Sequence, residues 1–159
     1  MNRTPSTNSE LSIDVGRETL GCSLSEPAQR LERPALILNF AGARSMSLAE
    51  GPYDIGSRLF VAAGHRVASF DLPFHGDRVE PGHPDSIRGF SAAWVNGRDV
   101  FSKFVDDGRK VIDALIGRGV ADPGRIFVSG TSRGGYFALR LMAADDRIAG
   151  AAAFAPVTD

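Results

Sequence analysis

The chain has 159 residues, 43% of them hydrophobic and 23% charged, a composition that fits one globular domain with a single core. Eighteen basic against nineteen acidic side chains, scattered along the chain, leave no electrostatic footprint for nucleic acid or an anionic membrane. The single Cys22 excludes an internal disulfide and a multi-cysteine zinc site, the start "MNRTPSTNSE" lacks an export segment, and no run reaches the roughly 18 apolar residues of a membrane span, so the expected address is cytoplasmic.

In chain order, residues 1–15 are polar and are expected to form a flexible N-terminal segment, with one domain over residues 16–159. "ETLGCSLSEP" suggests an early antiparallel strand. "PALILNFAG" is a continuous apolar run closed by glycine, as expected for a strand at residues 35–40 buried on both faces. A helix follows in "GPYDIGSRLFVAAGH", its apolar face predicted at Ile55, Leu59, Phe60 and Ala63 and its end at Gly64. "RVASFD" is a second buried strand. The stretch from Leu72 to Gly97 reads as a long Pro/Gly-rich connection of functional length.

"RDVFSKFVDDGRKVIDALIGRG" has Phe101, Phe104, Val105, Val111, Ile112, Leu115 and Ile116 at helical spacing; Asp106, Asp107 and Asp113 then belong to the solvated face. "DPGRIFVSG" turns into a third buried strand, "SRGGYFALRLMAAD" is a helix with Leu139 and Met142 inward, and "RIAGAAAFAP" is a fourth strand. Such alternation predicts an α/β fold: a doubly wound, mostly parallel sheet with helices on both faces, binding ligands beyond its strand C-terminal ends.

The chemistry is concentrated in "GTSRGG". A strand turning abruptly into a helix brings the residues two positions either side of the turn together, and Gly130 and Gly134 remove the Cβ atoms that would collide. Ser132 is left at the tip of a G-x-S-x-G nucleophile elbow, with the positive end of the helix dipole beneath it. The Arg133 N–H is the first oxyanion-hole donor, and the second is expected from Ala41 or Gly42 after the first buried strand, with Gly42 favoured. A phosphate-binding turn is opposed by the spacing, which is neither G-x-G-x-x-G nor G-x-x-x-x-G-K-[ST].

Three segments resemble the α/β-hydrolase superfamily, and within it the dienelactone hydrolase and prolyl oligopeptidase-like branches. "DPGRIFVSGTSRGG" is similar to their Asp-Pro-x-Arg-Ile lead-in and elbow, "DLPFHGDR" to their Asp-x-Pro-x-His-Gly-x-Arg loop, and "LILNFAG" stands where they have the oxyanion strand. The resemblance implies an α/β-hydrolase domain acting on small esters, thioesters or short peptides through Ser132, without metal or organic cofactor. The chain departs from it at Phe40-Ala41, where many members carry His-Gly.

In this fold the order along the chain is nucleophile, acid, then histidine. His65, His75 and His83 all precede Ser132, so the expectation is an N-terminal part of a hydrolase, lacking the strands that carry the acid and base and inactive alone. His75 is either a substitute base or a residue that fixes its loop; His65 and His83 are expected to be surface or loop residues, and Asp159 is either a triad acid or a turn residue. Arg133 either binds an anionic substrate group or pairs with Asp71 at the neighbouring strand end. The exposed last strand suggests self-association. Three functions are therefore carried forward: carboxylic-ester hydrolysis, a prolyl oligopeptidase-like peptidase activity, and a non-catalytic binding module.

Overall fold

The computed structural model describes residues 6–156. Strands β1 (Ser6–Asp14) and β2 (Thr19–Pro27) form an antiparallel hairpin, in register from Ser6 opposite Pro27 to Asp14 opposite Thr19. The flexible segment expected over residues 1–15 is corrected for residues 6–14. Their backbone pairs with β2 along its whole length, and Ile13 is buried against the core.

From there strand and helix alternate: β3 (Leu36–Phe40), α1 (Arg44–Ala49), α2 (Ile55–Ala62) and β4 (Arg66–Phe70). They are followed by α3 (Ser86–Val95), α4 (Val100–Gly117), β5 (Ile126–Thr131), α5 (Arg133–Ala144) and β6 (Ile148–Phe154). The six strands make one sheet in the order β1-β2-β4-β3-β5-β6; β4, β3, β5 and β6 are parallel, and β2 joins β4 antiparallel. Because β3 leads to β4 on one side and lies against β5 on the other, the loops after β3 and β5 diverge from a topological switch point, where ligands bind in open α/β sheets.

Alternation along β3 divides its side chains between two cores. Leu36, Leu38 and Phe40 face Phe70, Phe104, Val111, Leu115, Phe137 and Leu141, from β4, α4 and α5. Ile37 faces the other way, with Ala35, Val67 and Val61 of α2. Phe104 and Phe137 lie 4.5 Å apart between ring centroids, and Phe40 packs edge-on to Phe70 at 5.0 Å. Fully burying each such side chain contributes about 1.5–3 kcal/mol. Cys22 is part of this core, its thiol pushed up to about 12 by desolvation, and so is not a reactive group.

Four expectations about faces and connections change. The inward side of α2 is Ser57 and Val61, preceded by Asp54, while Ile55 and Leu59 are 48% and 61% exposed and Ala63 is exposed. Polarity explains the inversion: Asn39, at the sheet centre, donates to the Ser57 hydroxyl at 3.0 Å and to the Ser47 carbonyl at 2.9 Å, so this helix is docked by hydrogen bonds as well as apolar contact. The connection after β4 contains α3. Asp107 is not solvated; it is 4% exposed and accepts from Arg78 at 2.6 Å and Lys103 at 3.2 Å. On α5 the fully buried side chains are Phe137, Ala138 and Leu141, with Leu139 and Met142 only half-buried.

Among the described residues no helix is long and apolar enough to cross a membrane. Strand β6 pairs only with β5 among the described strands, and its Phe154 is 60% exposed.

Candidate active site

At the end of β5 the backbone turns into α5 through one residue. Ser132 has φ 55° and ψ −123°, a conformation that strains an L-residue by roughly 1–3 kcal/mol, and its side chain is exposed. The flanking glycines are needed for close approach. A Cβ on Gly130 would overlap the Gly134 backbone, and one on Gly134 would overlap the Phe40 carbonyl and come within 3.0 Å of the Ala41 nitrogen. The turn is pinned on its other side by the Ser132 N–H, which donates to the Phe154 carbonyl at 2.8 Å. The first turn of α5 thus rests on the end of β3, with its uncommitted N–H groups and positive dipole end beside Ser132.

The loop after β3 offers two backbone donors, and the structure distinguishes them. The Ala41 N–H donates to the Ser47 hydroxyl at 3.0 Å and is therefore engaged. Gly42 is buried, and its carbonyl accepts from Leu72 at 3.0 Å. A Cβ on Gly42 would lie 2.9 Å from His75 Cδ2, so the glycine lets the loops after β3 and β4 meet.

His75 is 6% exposed. Its Nδ1 lies 2.9 Å from the Pro73 carbonyl and its Nε2 lies 3.2 Å from Arg133 Nη2. A carbonyl and a guanidinium fix the neutral tautomer: Nδ1–H donates to Pro73 and the Nε2 lone pair accepts from Arg133. Burial holds the imidazole below its ordinary value, and the Arg133 charge adds to that effect. The lone pair a base would use is thus already engaged.

The pairing of Arg133 with Asp71 does not form. Asp71, 1% exposed, instead accepts from the Arg44 N–H at 2.7 Å and the Asp77 N–H at 2.9 Å, and forms an ion pair with Arg44 Nη1. Arg44 also reaches Asp77 at 2.7 Å and Glu10 at 3.1 Å. The carboxylate lies at the strand end, as expected, but Arg44 reaches it first and holds the 71–77 loop to α1. Arg133 lies over the Phe90 ring, 5.0 Å from its centroid, a contact the sequence did not disclose because α3 was hidden in the long connection.

Of the other histidines, His65 Nδ1 accepts from the Ala35 N–H at 3.1 Å, and His83 is exposed and lies 3.8 Å from Glu80. Asp159 lies outside the described residues. Among the described residues no three His, Cys, Asp or Glu side chains converge as a metal-binding group.

Solved structures with this arrangement of strands and helices include a cold-adapted esterase from an Arctic intertidal metagenomic library. It has 18% identity and a TM-score of 0.73, with 96% of this chain and 62% of that one covered. The chain has the α/β-hydrolase fold. The same fold relates it to a dienelactone hydrolase-like promiscuous phosphotriesterase from metagenomic libraries, at 15% identity and a TM-score of 0.70, covering 95% of this chain and 59% of that one. It also relates it to a puromycin-hydrolyzing peptidase of Mycobacterium tuberculosis, at 20% identity and a TM-score of 0.64, with 97% and 23% covered. The chain therefore spans about three-fifths of the first two α/β-hydrolase-fold proteins and under a quarter of the third. The profile of the prolyl oligopeptidase family matches residues 88–159, from α3 through β6. No curated protein matches the sequence significantly.

Proposed function

We propose that this chain supplies the nucleophile and oxyanion hole of a serine hydrolase acting on carboxylic esters. The observation that carries the proposal is the strained backbone of Ser132, exposed between two glycines whose missing side chains let α5 sit on the end of β3. Phe74, Ser86 and Ala155 also have positive φ, and what supports the reading at Ser132 is strain combined with exposure, flanking glycines and a place beside the switch point. In the reaction the Ser132 hydroxyl oxygen attacks the ester carbonyl while its proton leaves to a base. The oxyanion is received by the N–H groups of Arg133 and Gly42, and the C–O bond to the alcohol breaks as the alcohol takes up a proton. Water then releases the acid from the acyl-enzyme.

The base is not His75, whose lone pair is held by Arg133. No histidine follows Ser132 within these 159 residues, and in this fold the acid and histidine follow the nucleophile. We therefore expect residues 1–159 alone to have no meaningful turnover. Without a triad histidine, residual catalysis is at best roughly 10³–10⁴ over water. The open, apolar edge of β6 is expected to drive self-association. A cytoplasmic address accords with the lone, buried Cys22.

The test is to treat residues 1–159 with a fluorophosphonate probe and an activated short-chain ester, beside Ser132→Ala. Slow labelling confined to Ser132, without turnover, is the expected result. Labelling that survives Ser132→Ala overturns the proposal, and rapid turnover restores His75 as the base. The profile match at residues 88–159 favours a second reading, a prolyl oligopeptidase-like peptidase. Protection of Ser132 from the fluorophosphonate probe by a blocked dipeptide against protection by a small acyl ester separates the two.

A further inference from the structure

A chain of buried hydrogen bonds runs from β5 to the loop after β3. On the strand that leads into Ser132, the Ser129 hydroxyl donates to Asn39 Oδ1 of β3 at 2.8 Å. Asn39 Nδ2 donates to the Ser47 carbonyl of α1 at 2.9 Å, and the Ser57 hydroxyl of α2 donates to the same carbonyl at 2.7 Å. Ser47 is fully buried, and its own hydroxyl accepts from the Ala41 N–H at 3.0 Å and donates to the Ala43 carbonyl at 3.3 Å. That single hydroxyl therefore spans the loop from Ala41 to Ala43. Gly42, in the middle, is held at its carbonyl by the Leu72 N–H at 3.0 Å, while its own N–H has no hydrogen-bond partner among the described residues. A fully paired buried network adds little net stability over apolar packing, and its benefit is one defined arrangement.

We infer that Ser47 is a positioning residue for the oxyanion hole, its hydroxyl occupying the Ala41 N–H and holding the loop so that the Gly42 N–H is the donor left free; this rests on the Ser132 reading above. Ser47 acts only through the backbone of Ala41 to Ala43. Its own backbone is anchored through Asn39 and Ser129 to the strand that carries the nucleophile, and the loop lies against the first turn of α5, where a Cβ on Gly134 would come within 3.0 Å of the Ala41 nitrogen. Both sides of the hole are thus referred to one frame. Donors fixed in advance stabilise a developing oxyanion without reorganising during the reaction, and a misplacement of about 1 Å costs on the order of 10²-fold. Without the hydroxyl, the Ala41 N–H is released to compete with that of Gly42.

The experiment compares the rate of fluorophosphonate labelling at Ser132 in the wild type, Ser47→Ala, Ser47→Thr and Ser57→Ala, beside amide hydrogen exchange read by NMR. Ser57→Ala is the control for a merely structural role, because it removes a buried hydroxyl of the same network that does not touch the loop. Ser47→Ala should label about ten- to a hundredfold more slowly than the wild type. Exchange at the Ala41 amide should quicken by about tenfold, as expected from the loss of one net hydrogen bond, while the Leu141 amide in the core is unchanged. Ser47→Thr, which keeps the hydroxyl, should bring both back to within about threefold of the wild type, and Ser57→Ala should label within the same range. The contrast between Ser47→Ala and Ser57→Ala stands whether or not the buried site admits the extra methyl of threonine. Undiminished labelling in Ser47→Ala overturns the inference, and so does an equal fall in Ser57→Ala, which would report general loosening of α1 and α2. A wild type that is never labelled sinks the Ser132 reading and the inference with it, whereas labelling indifferent to Ser47 sinks the inference alone.

Discussion

Two arginines lie at the C-terminal edge of the sheet, and their surroundings are opposite. Arg44, after β3, is enclosed by the carboxylates of Asp71, Asp77 and Glu10, and it ties α1 to the loop after β4 and to β1. Arg133, after β5, has an imidazole, a phenyl ring and an unpartnered nitrogen. The first cation is fully answered from within the protein and works as a clamp. The second follows a strained serine and has no carboxylate partner among the described residues.

The most damaging test of that contrast is Asp71→Ala. It leaves two backbone N–H groups without their acceptor and removes one of the three carboxylates around Arg44, and should destabilise the protein by about 2–4 kcal/mol, read from urea unfolding. A loss under about 1 kcal/mol would mean that Arg44 is not a clamp. At the other region the expected sign reverses. Ser132→Gly relieves the φ of 55° and should raise stability by about 1 kcal/mol while abolishing fluorophosphonate labelling. A destabilised glycine variant would remove the argument from strain.

Arg133→Met should move stability by less than about 1 kcal/mol, because the lost hydrogen bond and ring contact are offset by removal of an uncompensated charge. It should also raise the pKa of His75, since the Arg133 charge helps to hold it down; an NMR titration reads this directly.

The smallest effect concerns pH. His75 faces Arg133 from α5, Asp71 after β4 and Asp85 before α3, and burial keeps its folded value below the ordinary 6.5. The unfolded chain then binds the extra proton first, so stability is fully present above about pH 6.5 and declines as pH falls below it. His75→Gln should flatten the dependence between pH 7 and 5.5. Carboxylates held low by their partners, such as Asp145 beside Arg147, act only at more acid pH.

The parallel strands were legible because an apolar run bounded by glycine or proline has few other uses, and the β5–α5 turn because only close backbone approach calls for glycine on both sides of a serine. The rest depended on partners distant in sequence. The strand Ser6–Asp14 is mostly exposed and polar, and only its pairing with Thr19–Pro27 makes it a strand. The face of α2 was misread because the buried side is decided by Asn39 and Ser47 from another layer. Asp107 looks solvated until Arg78, 29 residues earlier, is folded over it. The same holds at the site: Asp71 was a reasonable partner for Arg133, and nothing local reveals that Arg44 claims it.

The seating of α5 on the Phe40 carbonyl has a bearing on how this site can change. Phe40 pairs with Gly130 across β3 and β5, so the spacing between Ser132 and the Ala41-Gly42 loop is set by main-chain atoms and two absent Cβ atoms. Side chains around the mouth, including Arg133, His75 and Phe90, can be exchanged without altering that spacing. Under the proposed hydrolase function, ligand preference would be set by the rim and the geometry at Ser132 by the main chain, so the two would change through different substitutions.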